Sequence, residues 1–280
     1  ALIAGIHFRD TDPPDSVGAK ALAVNLSDLA SMGAAPLGYT LILALPKDWT
    51  ADWAAGFSNG LAAMQQRHSL QLLGGDTVAA NGPLTIGVTA FGSVPEGRQI
   101  MRSGAGTSDD IWVSGSIGDA ALALAIYNAG DSDRMAAPEY AALLDRLQRP
   151  EPRVALGQKL VGIATAAIDI SDGLAADLGP LCHASAIGAN IETENIPLSA
   201  AARDCLGAPS YGMDIVIGGG DDYELLFTAP PSQAADVTQA AERSGCAVTR
   251  IGRANAKNRV RFAAADGHEI EIKKPGWAHF

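Results

Sequence analysis

Apolar positions along the chain follow two periods. Over residues 13–35 they recur at helical spacing behind a Pro-Pro start and predict a helix, whereas over 37–45 (L-G-Y-T-L-I-L-A-L) they run almost unbroken and predict a strand. A second helix is expected from an N-cap at Thr50 to about His68, followed by a short strand at 70–73 that ends in a Gly74-Gly75-Asp76 loop. Residues 83–94 read as a further strand, and like 37–45 it carries apolar or small residues on both faces. Two-sided burial predicts a sheet covered by helices on one face and by a partner on the other. The stretch 95–110, rich in Gly, Ser and charge, divides 1–104 from 105–280. Beyond it the pattern predicts a strand at 111–113, an Ala-rich helix after Asp119, and helices at 138–147 and 153–164. A strand at 166–170 runs into a helix from Asp172, and later strands are expected at 223–228, 248–253 and 259–262. Residues 1–8 also read as a strand, one that opens the sequence abruptly and implies a segment upstream. Hairpin-like strand pairs mixed with helices favour an α+β fold of two domains over a doubly wound sheet.

With 280 residues and 48% hydrophobic content, the chain can bury a sizeable core. No apolar stretch reaches the length of a membrane span and no basic segment leads into an apolar signal core, so a soluble cytoplasmic protein without a membrane partner is expected. Cys182, Cys205 and Cys246 are odd in number and widely spaced, which fits reduced structural thiols better than disulfides or a zinc site. The 31 acidic against 20 basic residues leave a net charge of −11, which argues against a nucleic-acid partner. The acids divide into 22 Asp and 9 Glu, a bias toward turns, caps or metal ligands rather than solvated helix faces.

Four acidic segments call for more than a purely local explanation. Asp28 is the one formal charge in 21–37, on a helix with almost no polar face; a bound cation, a cleft or a distant arginine would compensate it. Asp76 follows two glycines at the lip of a strand, where a turn is the simpler reading. In A-A-I-D-I-S-D-G-L, Asp169 and Ser171 fall on one side of a strand and Asp172 opens a helix. Two carboxylates and a hydroxyl at one strand-to-helix junction suit a hard cation and an anion, and an N-cap explains only one of the three. I-G-G-G-D-D-Y-E delivers Asp221 and Asp222 ahead of a strand, with a glycine-rich turn as the alternative. Ser114 to Asp119 is a weaker candidate for a phosphate cradle and matches no dinucleotide or P-loop pattern. No H-E-x-x-H or G-x-S-x-G pattern is present. Dispersed aspartates on Gly-containing turns suit several Mg2+ ions gripping a polyphosphate.

In order along the chain stand G-I-H-F, K-A-L-A-V-N-L-S-D-L-A-S-M-G-A-A-P, L-L-G-G-D-T, R-S-G-A, D-I-S-D-G-L-A-A-D-L, G-D-D-Y-E-L-L-F-T and G-W-A-H-F. This series resembles the thiamine-monophosphate kinase family, within the superfamily that includes aminoimidazole ribonucleotide synthetase and selenophosphate synthetase. The resemblance implies ATP-dependent transfer of a phosphoryl group onto thiamine monophosphate, giving thiamine diphosphate, with several Mg2+ ions. It implies Mg2+ ligands at Asp28, Asp76, Asp169 and Asp172, and ATP contacts at Gly75, Asp76, Arg102 and Ser171. Substrate contacts are implied at His7, Asp221 and Trp277, and no side chain is implied as an acid or base catalyst. Taken alone, His7, Arg102 and Trp277 also read as a strand histidine, a linker ion pair and a packed tail residue. The resemblance further implies a homodimer in which the N-terminal sheets of 1–104 form a barrel, with ATP between the first domains and the α+β domain 105–280 closing over it. Two departures stand out. The family's upstream segment, with a G-D-D motif and a further Asp that help bind metal, has no counterpart here, and the family's usual Glu is replaced by Asp221. Competing readings are another synthetase of the superfamily or an impaired nucleotide- or thiamine-diphosphate-binding relative.

Overall fold

In the computed structural model, which describes residues 1–207 and 210–277, the chain begins with β1 (Leu2–Ile3), α1 (Pro14–Ser31), β2 (Ala35–Leu45), α2 (Ala51–His68), β3 (Gln71–Ala79) and β4 (Thr85–Ser93). It continues with β5 (Asp110–Ser114), α3 (Asp119–Ala129), α4 (Ser132–Met135), α5 (Pro138–Gln148), α6 (Val154–Leu160), β6 (Ala166–Asp169) and α7 (Leu174–Ser185). The last elements are β7 (Gly188–Glu192), α8 (Ala200–Leu206), α9 (Met213–Gly218), β8 (Leu225–Ala229), α10 (Ala234–Ser244), β9 (Val248–Asn255) and β10 (Val260–Ala263). Residues 278–280, the end of the G-W-A-H-F motif, lie outside the described residues. Among the described residues no helix is long and apolar enough to cross a membrane, and the three cysteines are buried and free.

The first sheet has the order β1-β4-β2-β3. Helices α1 and α2 cover one of its faces, and α2 starts where Thr50 Oγ1 accepts from the Trp53 N–H at 3.1 Å. The two helices touch backbone to backbone: a Cβ at Gly60 would lie 1.9 Å from the Asp15 carbonyl oxygen, and one at Gly18 would lie 2.1 Å from that of Phe57. The other face is uncovered. Tyr39 and Leu41 point into the core, so Ile42 points away, and it is 54% exposed; Phe91 is 45% exposed, and every residue of edge strand β3 is exposed. The second sheet has the order β10-β7-β9-β5-β8-β6. One of its faces packs on α3, α5 and α7, while side chains of β8, α6 and α10 join the core of the first sheet. The two sheets thus share a core, and α6 sits directly on α1, where a Cβ at Gly157 would be 2.0 Å from the Ala30 carbonyl oxygen.

The α+β class expected from the sequence is observed, but by a different connectivity. Hairpins are absent among the described strands: β2 and β3 pair in parallel across α2, and the remaining pairs join strands distant in sequence. Gly74-Gly75-Asp76 lies inside β3 rather than in a loop after it. The glycines are there for close approach, since a Cβ at Gly75 would stand 1.8 Å from the Leu41 carbonyl oxygen. Of residues 1–8 only Leu2–Ile3 form a strand, because Gly5 (φ +78°) turns the chain back and Ala4 bridges Phe8. The helix expected from Asp172 begins at Leu174, and the strand expected from Tyr223 begins at Leu225.

Candidate active site

A cleft of about 800 Å³ opens where α1, α3, the β6–α7 turn, the turn before β8 and the C-terminal tail meet. His7, Asp28, Asp169, Ser171, Asp172, Asp221 and Trp277 all line it. The seven come from five segments far apart in the sequence. A backbone ladder joins the two Asp-rich turns: β6 pairs with β8 up to Asp169 and Leu225, then Ile170 N–H donates to Glu224 O, Tyr223 N–H to Ile170 O and Asp221 N–H to Ser171 O, all at 2.8 Å. Asp221 and Tyr223 take the left-handed conformation (φ 70° and 51°) that this turn requires.

The turn 171–173 is capped by a residue outside the sequence reading. One oxygen of Asp177, in the first turn of α7, accepts the N–H groups of Ser171, Asp172 and Gly173 at 3.0, 2.9 and 3.1 Å. Asp177 therefore does the capping, and the side chains of Ser171 and Asp172 are left to the cleft. The tail closes the same turn, since Trp277 N–H donates to Asp172 O at 3.0 Å and a Cβ at Gly276 would meet Ala176 at 2.3 Å. On the first unit, Ile3 N–H donates to His7 Nδ1 at 3.0 Å, so the neutral imidazole carries its proton on Nε2.

Asp28 is exposed rather than enclosed by its apolar helix, because the cleft opens over it. The surrounding protein still raises its carboxyl above the usual range, while the Arg102 guanidinium pulls it down from a distance. Asp28 makes no salt bridge among the described residues, so an arginine partner does not account for it. Asp169 is 5% exposed, and burial followed by the Asp28 charge pushes it up to about 6. Two carboxylates that resist joint ionisation are the hard-oxygen setting that Mg2+ relieves, and this donor chemistry fits such an ion. Among the described residues, however, no group of three or more His, Cys, Asp or Glu side chains stands close enough to hold a metal. Gly75 and Asp76 do not line the cleft: Asp76 is in register with Ile42 and so shares the uncovered face of the first sheet. Arg102 is exposed and reaches the cleft only electrostatically.

Two candidates from the sequence fall away. The 114–119 segment is no phosphate cradle, since Gly115 and Ile117 N–H groups donate to Ala247 O and Pro197 O, each at 2.9 Å, and Gly118 N–H to Asp222 Oδ1 at 2.9 Å. Asp222 is buried under that segment with its second oxygen unpartnered, and burial holds its carboxyl well above the usual range. Sequence reading missed Asp177, Lys20, Tyr223 and the lysines of the tail. Lys20 was the most visible of these, a lone cation entering an apolar helix; its Nζ lies 3.0 Å from Asp221 Oδ1. Lys273 and Lys274 line the cleft beside Trp277.

Comparison with known proteins identifies the family. Residues 1–94 match the model of the AIR synthase related protein, N-terminal domain, and residues 106–264 match that of the C-terminal domain. The thiamine-monophosphate kinase of Escherichia coli is 40% identical over all of this chain and 84% of its own length. The crystal structure of the thiamine-monophosphate kinase from Stenotrophomonas maltophilia has a TM-score of 0.88 at 42% identity, covering 96% of this chain and 84% of that one. The structure of AaThiL complexed with AMPPCP and TMP has a TM-score of 0.86 at 29% identity, covering 100% of this chain and 85% of that one. The chain belongs to the AIR synthase related family, in its thiamine-monophosphate kinase branch.

Proposed function

We propose that the protein transfers the γ-phosphoryl group of ATP onto the phosphate of thiamine monophosphate, giving thiamine diphosphate and ADP. The observation that carries this is the single cleft gathering His7, Asp28, Asp169, Ser171, Asp172, Asp221 and Trp277 from both ends of the chain. Kinship with thiamine-monophosphate kinases, one of them solved with AMPPCP and TMP, supports it. The acceptor oxygen is already ionised at neutral pH, so the reaction calls for alignment and charge neutralisation rather than a general base. Asp28, Asp169 and Asp172 would hold Mg2+, with Asp76 completing the set from a sheet face. Bound there, the metal supplies the positive charge that lets an acidic protein accept a polyphosphate. Ser171 and Arg102 contact ATP. His7, with its Nε2 proton, Asp221 and the indole of Trp277 orient thiamine monophosphate, the indole by stacking.

Gly75 and Asp76 reach an ATP site only if the uncovered sheet face is part of it. We therefore assign 1–104 to ATP and metal binding and to a homodimer built sheet to sheet as a barrel, and 105–280 to the domain that closes over the cleft. The exposed edge strand β3 and the exposed Ile42 and Phe91 support this. ATP as co-substrate and the three free thiols support a cytoplasmic location.

The test is ADP release by the purified chain with ATP and Mg2+, using thiamine monophosphate against thiamine and other phosphorylated or carboxylated acceptors. Thiamine diphosphate should form mole for mole with ADP, and chelation of Mg2+ should abolish both. ADP formed only with a different acceptor would favour another synthetase. Calorimetric binding of ATP and thiamine monophosphate without turnover would favour an impaired relative.

A further inference from the structure

We propose that Lys20 is a positioning residue for substrate recognition: its buried ammonium fixes the Asp221 carboxylate in the cleft and thereby sets the affinity for the phosphorylated acceptor. This rests on the functional reading above, in which Asp221 contacts thiamine monophosphate. Lys20 lies on α1 with its side chain 4% exposed, and its Nζ stands 3.0 Å from Asp221 Oδ1, whose side chain is 30% exposed. The carboxylate therefore has one oxygen engaged from below while the residue still opens to the cleft it lines. Its backbone is equally fixed. Asp221 N–H donates to Ser171 O at 2.8 Å, the left-handed φ of 70° is one that few residues other than glycine adopt, and a Cβ at the preceding Gly220 would lie 2.2 Å from Ser171 O. The Tyr223 phenol, pushed well above its usual range by burial and then by the Asp221 charge, stands beside the same carboxylate.

Stability alone is a poor reason for this pair. A buried ammonium is costly to desolvate, and an apolar side chain in place of a buried ion pair is commonly as stable or more so. A carboxylate held rigid and ready, by contrast, spares a cationic ligand the cost of ordering it. Because Lys20 is on the same helix as Asp28, it also ties the turn of the second sheet to the wall that carries the first candidate metal ligand.

The test is a kinetic and thermal cycle on the full chain with K20M, K20R, D221N and K20M/D221N. In K20M the KM for thiamine monophosphate should rise about tenfold while that for ATP stays within about twofold, and K20R should recover most of the loss. In the D221N background, K20M should change the thiamine monophosphate KM by less than about twofold, because Lys20 acts through the carboxylate already removed. A folded K20M with unchanged KM, or a further rise of about tenfold between D221N and K20M/D221N, overturns the proposal. Should K20M alone fail to fold, the comparison of D221N with the double variant, which carries neither charge, still decides it. Absence of thiamine-monophosphate-dependent ADP release in the unaltered chain overturns the functional reading itself, and this proposal with it.

Discussion

At the scale of single residues, the site depends on carboxylates that never touch the cleft. Asp177 collects three N–H groups of the turn that presents Ser171 and Asp172. Asp177→Ala leaves those donors without their acceptor and should lower stability by about 1–3 kcal/mol. It should also raise the KM for ATP, since the turn loses its fixed geometry, and a thermal melt paired with initial rates would read both. An Asp177→Ala protein with unaltered melting and KM would mean that water replaces the carboxylate without loss. Asp222 gives the opposite case. Its carboxyl is held well above the ordinary range by burial, so the folded chain keeps a proton that the unfolded chain releases. The unfolded state then binds fewer protons, and stability falls as pH rises above the unfolded carboxylate range toward the folded value. The contribution to the slope approaches about 1.4 kcal/mol per pH unit at most. Asp222→Asn cannot ionise in either state, so its denaturation midpoint should exceed that of the unaltered protein near pH 8 and converge with it near pH 4, about the unfolded carboxylate range. Parallel pH profiles for the two proteins would rule this out.

At the scale of elements, α1 carries much of the arrangement, since it supplies Asp28 and Lys20 and packs against α2, α6 and both sheets. It holds its place by backbone contact with α2, and the Gly60 Cβ position lies 1.9 Å from Asp15 O. Gly60→Ala must push the helices apart, and a loss of about 1–3 kcal/mol in chemical denaturation is expected, with kcat falling as the α1 wall shifts. An equally stable Gly60→Ala would show that the crossing is slack. The same elements show what a sequence can and cannot disclose. Thr50 at the head of α2, the run that became β2, and the strand-to-helix junction at Asp169 were legible because capping, period and turn chemistry are local. His7, Asp28, Asp169, Ser171, Asp172 and Asp221 were legible as motifs and do share one cleft. Strand pairing was not, because β4 lies beside β2 and β8 beside β5 and β6 through crossovers that leave no mark in the strands themselves. Gly74-Gly75 misled for a physical reason: glycine marks turns and close approaches alike, and only the Leu41 carbonyl 1.8 Å from the missing Cβ tells which. Asp177 and Lys20 escaped because their partners exist only once the turns are folded.

At the scale of the molecule, the net charge of −11 and the uncovered sheet bear on the same question. An acidic protein that works on polyphosphates needs cations gathered where the phosphates lie, yet in a single copy Asp76 sits on an open sheet face and does not line the cleft that Asp28, Asp169 and Asp172 share. That face also exposes Ile42 at 54% and Phe91 at 45%, beside an edge strand with unpaired backbone groups. Sheet-to-sheet pairing would cover the apolar positions and enclose Asp76 in a shared site, so assembly and activity should fail together. Ile42→Glu with Phe91→Glu places charge on the outward face while leaving the helix-covered face untouched, so the monomer should keep its fold. Sedimentation velocity should show a shift from dimer to monomer, far-ultraviolet circular dichroism should stay unchanged, and ATP turnover should fall by at least about a hundredfold, the loss expected when a site loses part of its charge-neutralising set. A double variant that remains dimeric would place the interface elsewhere. A monomer that keeps full turnover would show that Asp76 and the uncovered face take no part in the ATP site, leaving the cleft of a single chain sufficient.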